Sequence, residues 1–151
     1  MIEYKSDGDI LNDPSDAIVI PVNCVGVMGA GLALAAAKKW PHTEYIYKRA
    51  CELRELYEGK VIYTWPERKR TPVVVLFPTK RHWRNPSRLE DVESGLADLA
   101  NRLNRKDGVT SISIPALGCG LGGLRWSDVK PLIEAFAERV PEVRVVVYEP
   151  R

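Results

Sequence analysis

Residues 17–40 read AIVIPVNCVGVMGAGLALAAAKKW. An apolar run, Ala17 to Val22, leads into a glycine-bearing turn and then into an alanine-rich stretch, Gly31 to Trp40, that stops before Pro41. The first run is apolar on consecutive positions, which suits a strand covered on both faces. The last has the composition of a helix. Strand, glycine turn and helix together aim free backbone N–H groups and the positive end of a helix dipole at one point, the outline of an anion cradle. Two nucleotide fingerprints fail here. A P-loop needs G-x-x-x-x-G-K-[ST], but Leu32 and Ala33 follow Gly31. A dinucleotide fingerprint needs G-x-G-x-x-G, and Gly29-Ala30-Gly31-Leu32-Ala33-Leu34 supplies only the first two glycines. A tight turn with packing glycines remains open on this stretch alone.

Outward from this unit the pattern repeats. Val73 to Phe77, Ile112 to Ile114 and Val143 to Tyr148 are short, β-branched strand runs, and Val61 to Trp65 and Ile2 to Lys5 read as further strands nearer an edge. Helical spacing is expected in Thr43 to Tyr57, with Ile46, Ala50, Leu53 and Tyr57 on one face, and in Val92, Leu96, Leu99 and Leu103. Ser87-Arg88-Leu89-Glu90 reads as a capping box before the latter, and Ser127 as the cap of a last helix carrying Val129, Leu132, Ile133 and Phe136. Alternating strands and helices predict an α/β fold, three layers α/β/α with a central mixed, largely parallel sheet. Ligands in such sheets sit at the carboxyl ends of the strands, so the loops that leave strands matter most.

The 151 residues fit a single domain spanning 1–151. A net charge of only +2 argues for no partner by bulk charge, so local clusters must carry that signal. Cys24, Cys51 and Cys119 are odd in number and lack C-x-x-C spacing, so they read as reduced thiols and not as a zinc site or disulfide frame. No signal peptide opens the chain and no apolar run approaches ~18 residues. The expectation is a cytoplasmic monomer with no membrane association, no metal and no cofactor.

Four loops follow strands. The first carries Gly8-Asp9-Ile10, the second Asn23 and the glycine turn, the third Thr79-Lys80-Arg81-His82-Trp83-Arg84, and the fourth Pro115 to Gly123 with four glycines at 118, 120, 122 and 123. Two glycine loops can wrap a diphosphate through backbone N–H groups alone. A carboxylate such as Asp9 can accept from an exocyclic amine.

These motifs, Gly8-Asp9-Ile10, Asn23 with Gly29-Ala30-Gly31-Leu32-Ala33, and Pro115-Ala116-Leu117-Gly118-Cys119-Gly120-Leu121-Gly122-Gly123, resemble a macrodomain, the ADP-ribose-binding module. The resemblance covers essentially the whole chain. It is nearest to the subgroup containing terminal ADP-ribose protein glycohydrolase, and within it to a bacterial antitoxin branch that strips ADP-ribose from thymidine in DNA. It implies that Asp9 and Ile10 hold adenine. It implies that Gly29, Ala30, Gly31 and Leu32 clasp the diphosphate and distal ribose together with Pro115, Leu117, Gly118, Cys119, Gly120, Leu121 and Gly122. It places Asn23 and Lys80 at the distal ribose as the catalytic residues. It also implies ADP-ribosylated single-stranded DNA as substrate, the cognate toxin as a partner, and a longer parent protein of which this is the N-terminal catalytic domain. One departure stands out: Gly122 occupies the place of an aspartate in the protein-directed enzymes.

Lys80 has two chemical options at a glycosidic bond. As ammonium it can donate to the leaving base. As neutral amine it can attack the anomeric carbon. Thr79 to Arg88, TKRHWRNPSR, holds four cations, a histidine and a tryptophan, the composition of a single-strand contact through Arg81, His82, Trp83 and Arg84. Glu67-Arg68-Lys69-Arg70 forms a second basic cluster. A reader that binds ADP-ribose without cleaving it, and a hydrolase of protein-linked ADP-ribose, are the competing expectations.

Overall fold

A computed structural model describes residues 2–66 and 72–150. The Glu67-Arg68-Lys69-Arg70 cluster lies outside the described residues. Six strands, β1 (Ile2–Lys5), β2 (Ala17–Asn23), β3 (Ile62–Thr64), β4 (Val73–Lys80), β5 (Ser111–Pro115) and β6 (Arg144–Tyr148), form one sheet in the order β1-β6-β5-β2-β4-β3. All pairings are parallel except β3 on β4. The expected edge strands β1 and β3 are indeed at the two edges.

The four helices are α1 (Gly31–Lys39), α2 (Pro41–Glu52), α3 (Leu89–Leu103) and α4 (Trp126–Arg139). Strand side chains alternate between two cores. Ala17, Val19, Val73, Val75 and Phe77 pack with Val92, Leu96 and Leu99 of α3 and Val129, Ile133 and Phe136 of α4. Ile18, Ile20, Val22, Val74 and Leu76 pack with Ala36, Trp40, Tyr47 and Ala50 on the other face. This two-sided cover is why β2 and β4 read as unbroken apolar runs. Among the described residues, no helix is long and apolar enough to cross a membrane.

Three local expectations are corrected. Helix α2 starts at Pro41, buries Thr43, Tyr47 and Ala50, and ends at Glu52, because Arg54 turns left-handed at φ 57°. Leu53 and Tyr57 are therefore exposed and outside the helix. Ser87 does not cap α3, whose N-cap is Arg88 without a side-chain bond. Ser127 lies inside α4, whose N-cap is Arg125.

Candidate functional site: a groove across the strand ends

The carboxyl ends of the parallel strands open into two adjoining hollows of about 670 and 1070 Å³. They share Leu32, Pro115, Ala116 and Gly120, so they form one elongated groove. This is where open α/β sheets place ligands.

The smaller hollow is lined by Gly8, Asp9, Ile10 and Tyr148. The Asp9 carboxylate caps a short 3-10 turn, Ile10–Asn12, by accepting from Leu11 N at 3.0 Å. A carboxylate keeps further lone pairs after one such bond, so Asp9 can also take an amine donor from a base. Tyr148 was not expected at the site. Its signal was available in its position, the last residue of the last strand at the carboxyl end. Its hydroxyl donates to Asp13 Oδ2 at 2.5 Å, and burial pushes it upward, so it stays protonated. Asp13 itself is pushed up by burial, but hydrogen bonds from Ser113, Ser15 and Tyr148 outweigh that and hold it well below the usual carboxylate range. The aromatic wall of this hollow is thus anchored to a buried carboxylate.

The larger hollow lies between the two glycine loops. Gly31 opens α1 at φ 57°, and among the described residues the N–H groups of Gly31, Leu32 and Ala33 find no acceptor. They point the positive end of α1 into the groove. Opposite, the N–H groups of Gly120, Leu121 and Gly122 likewise find no acceptor among the described residues. The Leu121 side chain, 74% exposed, reaches across to within 3.9 Å of a methyl built on Gly31. The loops therefore close on each other over a space lined by backbone donors, which suits a diphosphate.

Gly122 has no room for a side chain. A Cβ there would stand 2.2 Å from Ser87 Oγ and 2.4 Å from Gly118 O. Ser87 occupies that space, and its N–H donates to Gly122 O at 2.9 Å. No side chain of any kind fits at 122 in this backbone.

Lys80 ends β4 at the floor of the larger hollow. The pairing of β2 and β4 slips at Thr79, so that Val22 pairs with Pro78 but Asn23 with Lys80. Such irregularities commonly re-aim a side chain at a site. Lys80 Nζ donates to Trp83 O at 3.3 Å, and Lys80 O accepts from Cys24 N at 3.0 Å. The lysine thus sits beside both the Asn23 turn and the Trp83 loop.

Asn23 is 7% exposed, and its side chain is largely committed to its own turn. Oδ1 accepts from Val25 N (3.1 Å), Val27 N (3.3 Å) and the Tyr47 hydroxyl (2.7 Å), while Nδ2 donates to Val27 O at 2.8 Å. One Nδ2 hydrogen remains for a ligand. Tyr47 also reaches Asn23 O at 2.7 Å, and burial raises its hydroxyl, which keeps the donor proton. Helical spacing puts Ile46 on the buried face of α2, whereas the structure buries Tyr47, which no periodicity marks as a partner of Asn23.

Of the other expected residues, Gly29, Ala30, Pro115, Gly118, Cys119, Trp83 and Arg84 line the larger hollow. Leu117 does not: it is fully buried in the core. Arg81 and His82 do not line it either. Arg81 forks onto Asp91 at 3.2 Å through both Nε and Nη2, and His82 Nδ1 accepts from Arg84 N at 3.1 Å. Burial pushes the Cys24 thiol up to about 12 and the Cys51 thiol up to about 11, and it raises Cys119 as well. These thiols stay neutral at ordinary pH. Among the described residues, no cluster of His, Cys, Asp and Glu could hold a metal ion.

The sequence matches the Macro domain family model over residues 19–133. The chain belongs to the macro domain family. Its relatives narrow the comparison. A Mycobacterium tuberculosis protein named DNA ADP-ribosyl glycohydrolase is 40% identical over 151 residues, covering 99% of this chain and 42% of that protein. The solved macrodomain of Mycobacterium tuberculosis DarG superposes with a TM-score of 0.93 at 39% identity, covering 100% of this chain and 99% of that one. Thermosipho africanus DarTG in complex with ADP-ribose gives 0.86 at 37% identity, over 95% of this macrodomain and 40% of that chain. The macrodomain described here thus spans under half the length of the first curated relatives it matches.

Proposed function

We propose that this macrodomain is a metal-independent, cytoplasmic DNA ADP-ribosyl glycohydrolase, which releases ADP-ribose from thymidine in single-stranded DNA and so reverses a DarT-type toxin. The observation that carries the proposal is the placement of Lys80 at the end of a groove whose walls offer backbone N–H groups from two loops. The smaller hollow takes adenine against Asp9, Ile10 and Tyr148. The N–H groups of α1 and of Gly120 to Gly122 take the diphosphate. The distal ribose then lies between Asn23 and Lys80. Relatives named for this activity at about 40% identity support the reading.

Of the two options, the proposed chemistry takes Lys80 as the nucleophile. After one ammonium proton has passed to water, the Nζ lone pair bonds to the anomeric carbon while the bond from that carbon to the base nitrogen breaks. The electron pair goes to the base, which takes the proton that Nζ sheds. Water then hydrolyses the lysine glycosylamine, releasing ADP-ribose and the free amine. Asn23 holds a ribose hydroxyl with its remaining Nδ2–H. Gly122 can carry no carboxylate, so this loop contributes donors and no base.

A substrate panel tests the proposal. The parent protein, without added metal, is given ADP-ribosylated thymidine in single-stranded DNA, glutamate-linked ADP-ribose on protein, and ADP-ribose 1''-phosphate. Release of ADP-ribose from DNA ahead of the other two is expected. Binding of ADP-ribose with no turnover of any of them would make the domain a reader and defeat the proposal.

A further inference from the structure

The two loops bonded to Lys80, the Asn23 turn through Lys80 O and the Trp83 loop through Nζ, leave apolar side chains in solvent. Val25 is 45% exposed, Val27 43% and Trp83 46%. The two valines sit on the turn that Asn23 builds, and that turn is rigid: Asn23 Oδ1 binds the N–H of both valines and Nδ2 binds the Val27 carbonyl. Val27 also packs across Gly29, 3.3 Å from where a Cβ would stand. Trp83 rides on a second, braced loop. Its carbonyl takes Lys80 Nζ, the Arg84 guanidinium lies over its ring at 4.7 Å, Asn85 N donates to His82 O, and Ser87 N ties the loop to Gly122. Val27 and Trp83 both line the hollow that holds Lys80.

We infer that Val27 and Trp83 are the two walls of a slot for the leaving pyrimidine base, with Val27 reading its 5-methyl group. The inference rests on the proposed reaction. A base linked to the distal ribose must project beyond the anomeric carbon, and Lys80 marks where that carbon lies. Arg84 lies over the Trp83 ring and the His82 ring stands 5.3 Å from it, so a base stacks on the part of the indole left exposed, and an apolar side chain is what recognises a thymine methyl. Nothing in the adenine hollow or the diphosphate loops calls for Val27 to be exposed, whereas a base edge would cover it. Arg81 is held by Asp91 and leaves this slot to Trp83 and Arg84.

The test uses Val27→Thr, which keeps the shape and replaces a methyl by a hydroxyl, and Trp83→Ala with Trp83→Phe. Each is assayed for ADP-ribose affinity and for kcat/KM on oligonucleotides carrying ADP-ribose on thymine or on uracil. Affinity for free ADP-ribose is expected within about twofold of the parent for all three. Trp83→Ala should lose on the order of tenfold or more in kcat/KM on the thymine substrate, and Trp83→Phe should recover most of it. The parent should prefer thymine over uracil several-fold, and Val27→Thr should abolish that preference. If the parent cleaves the DNA conjugate while both Val27→Thr and Trp83→Ala keep its rate and its base preference, the base binds elsewhere and the inference falls. If the parent binds ADP-ribose but cleaves neither conjugate, the proposed reaction falls and the slot with it.

Discussion

Gly122→Ala should damage this macrodomain far more than a surface-loop alanine normally does. The added Cβ would lie 2.2 Å from Ser87 Oγ, 2.4 Å from Gly118 O and 2.8 Å from Gly118 C. Ser87 could rotate away, but the other two atoms are backbone. Gly118 cannot retreat, since it sits at φ 74° with Leu124 and Ser87 packed against it. Overpacking typically costs ~1–3 kcal/mol, and blocked retreat puts this site at the upper end, about 3 kcal/mol. For a domain of this size that lowers Tm by roughly 6–12 °C. Gly120→Ala is the matched control in the same loop. Nothing lies within 4 Å of its Cβ, so its stability should stay within about 0.5 kcal/mol of the parent. ADP-ribose affinity should fall with Gly122→Ala as the N–H groups of the loop shift. Adding Ser87→Gly removes the nearest clash but not Gly118, so it should restore only part of the loss. Urea unfolding and calorimetric titration of the four proteins measure all of this. Equal midpoints for Gly122→Ala and Gly120→Ala would refute the steric account of why residue 122 is glycine.

Tyr47→Phe removes a buried hydroxyl that holds Asn23 at two atoms. Urea denaturation should show a loss of about 1–2 kcal/mol, and ADP-ribose should bind more weakly because the hydroxyl holds Asn23, whose remaining Nδ2–H is assigned to a ribose hydroxyl. Asp13 is held low in the folded protein by hydrogen bonds that outweigh its burial. Its contribution to stability is therefore full above the unfolded carboxylate value of about 4 and is lost as pH falls below it. The difference in urea midpoint between parent and Asp13→Asn should be constant at neutral pH and shrink below about pH 4; a constant difference down to about pH 2 would contradict the assignment. Arg81→Met should loosen the Trp83 loop by leaving the buried Asp91 unpaired, seen as faster proteolysis between residues 81 and 88 with no change elsewhere.

Much of the architecture was legible because two-sided burial leaves a plain mark. AIVIPV and VVVLF have no polar alternation, and both proved to be inner strands covered by helices. The short edge strands were also readable, as was the inner face of α3. The misread details are those that tertiary packing decides. Ser87 has the sequence of a helix cap, yet its side chain packs beneath Gly118 and Gly122, where Oγ finds no hydrogen-bond partner. The buried face of α2 is set by Tyr47 reaching Asn23, a contact between residues 24 apart that periodicity cannot show. In the groove, the glycine motifs marked the two loops with free N–H groups, but Lys80, read as a loop residue after Phe77, is the last residue of β4, which runs on through Pro78 and Thr79. The commitment of Asn23 to its own turn, the burial of Leu117 and the pairing of Arg81 with Asp91 needed coordinates.

The most direct measurement compares the parent with Lys80→Ala on a single-stranded oligonucleotide bearing ADP-ribose on thymidine, with ADP-ribose affinity determined for both. The account predicts that the parent releases ADP-ribose, that Lys80→Ala binds it within a fewfold of the parent, and that Lys80→Ala loses at least ~100-fold in turnover, the scale expected for a positioned catalytic group. Turnover by Lys80→Ala at the parent rate would contradict the assignment of the chemistry to this lysine.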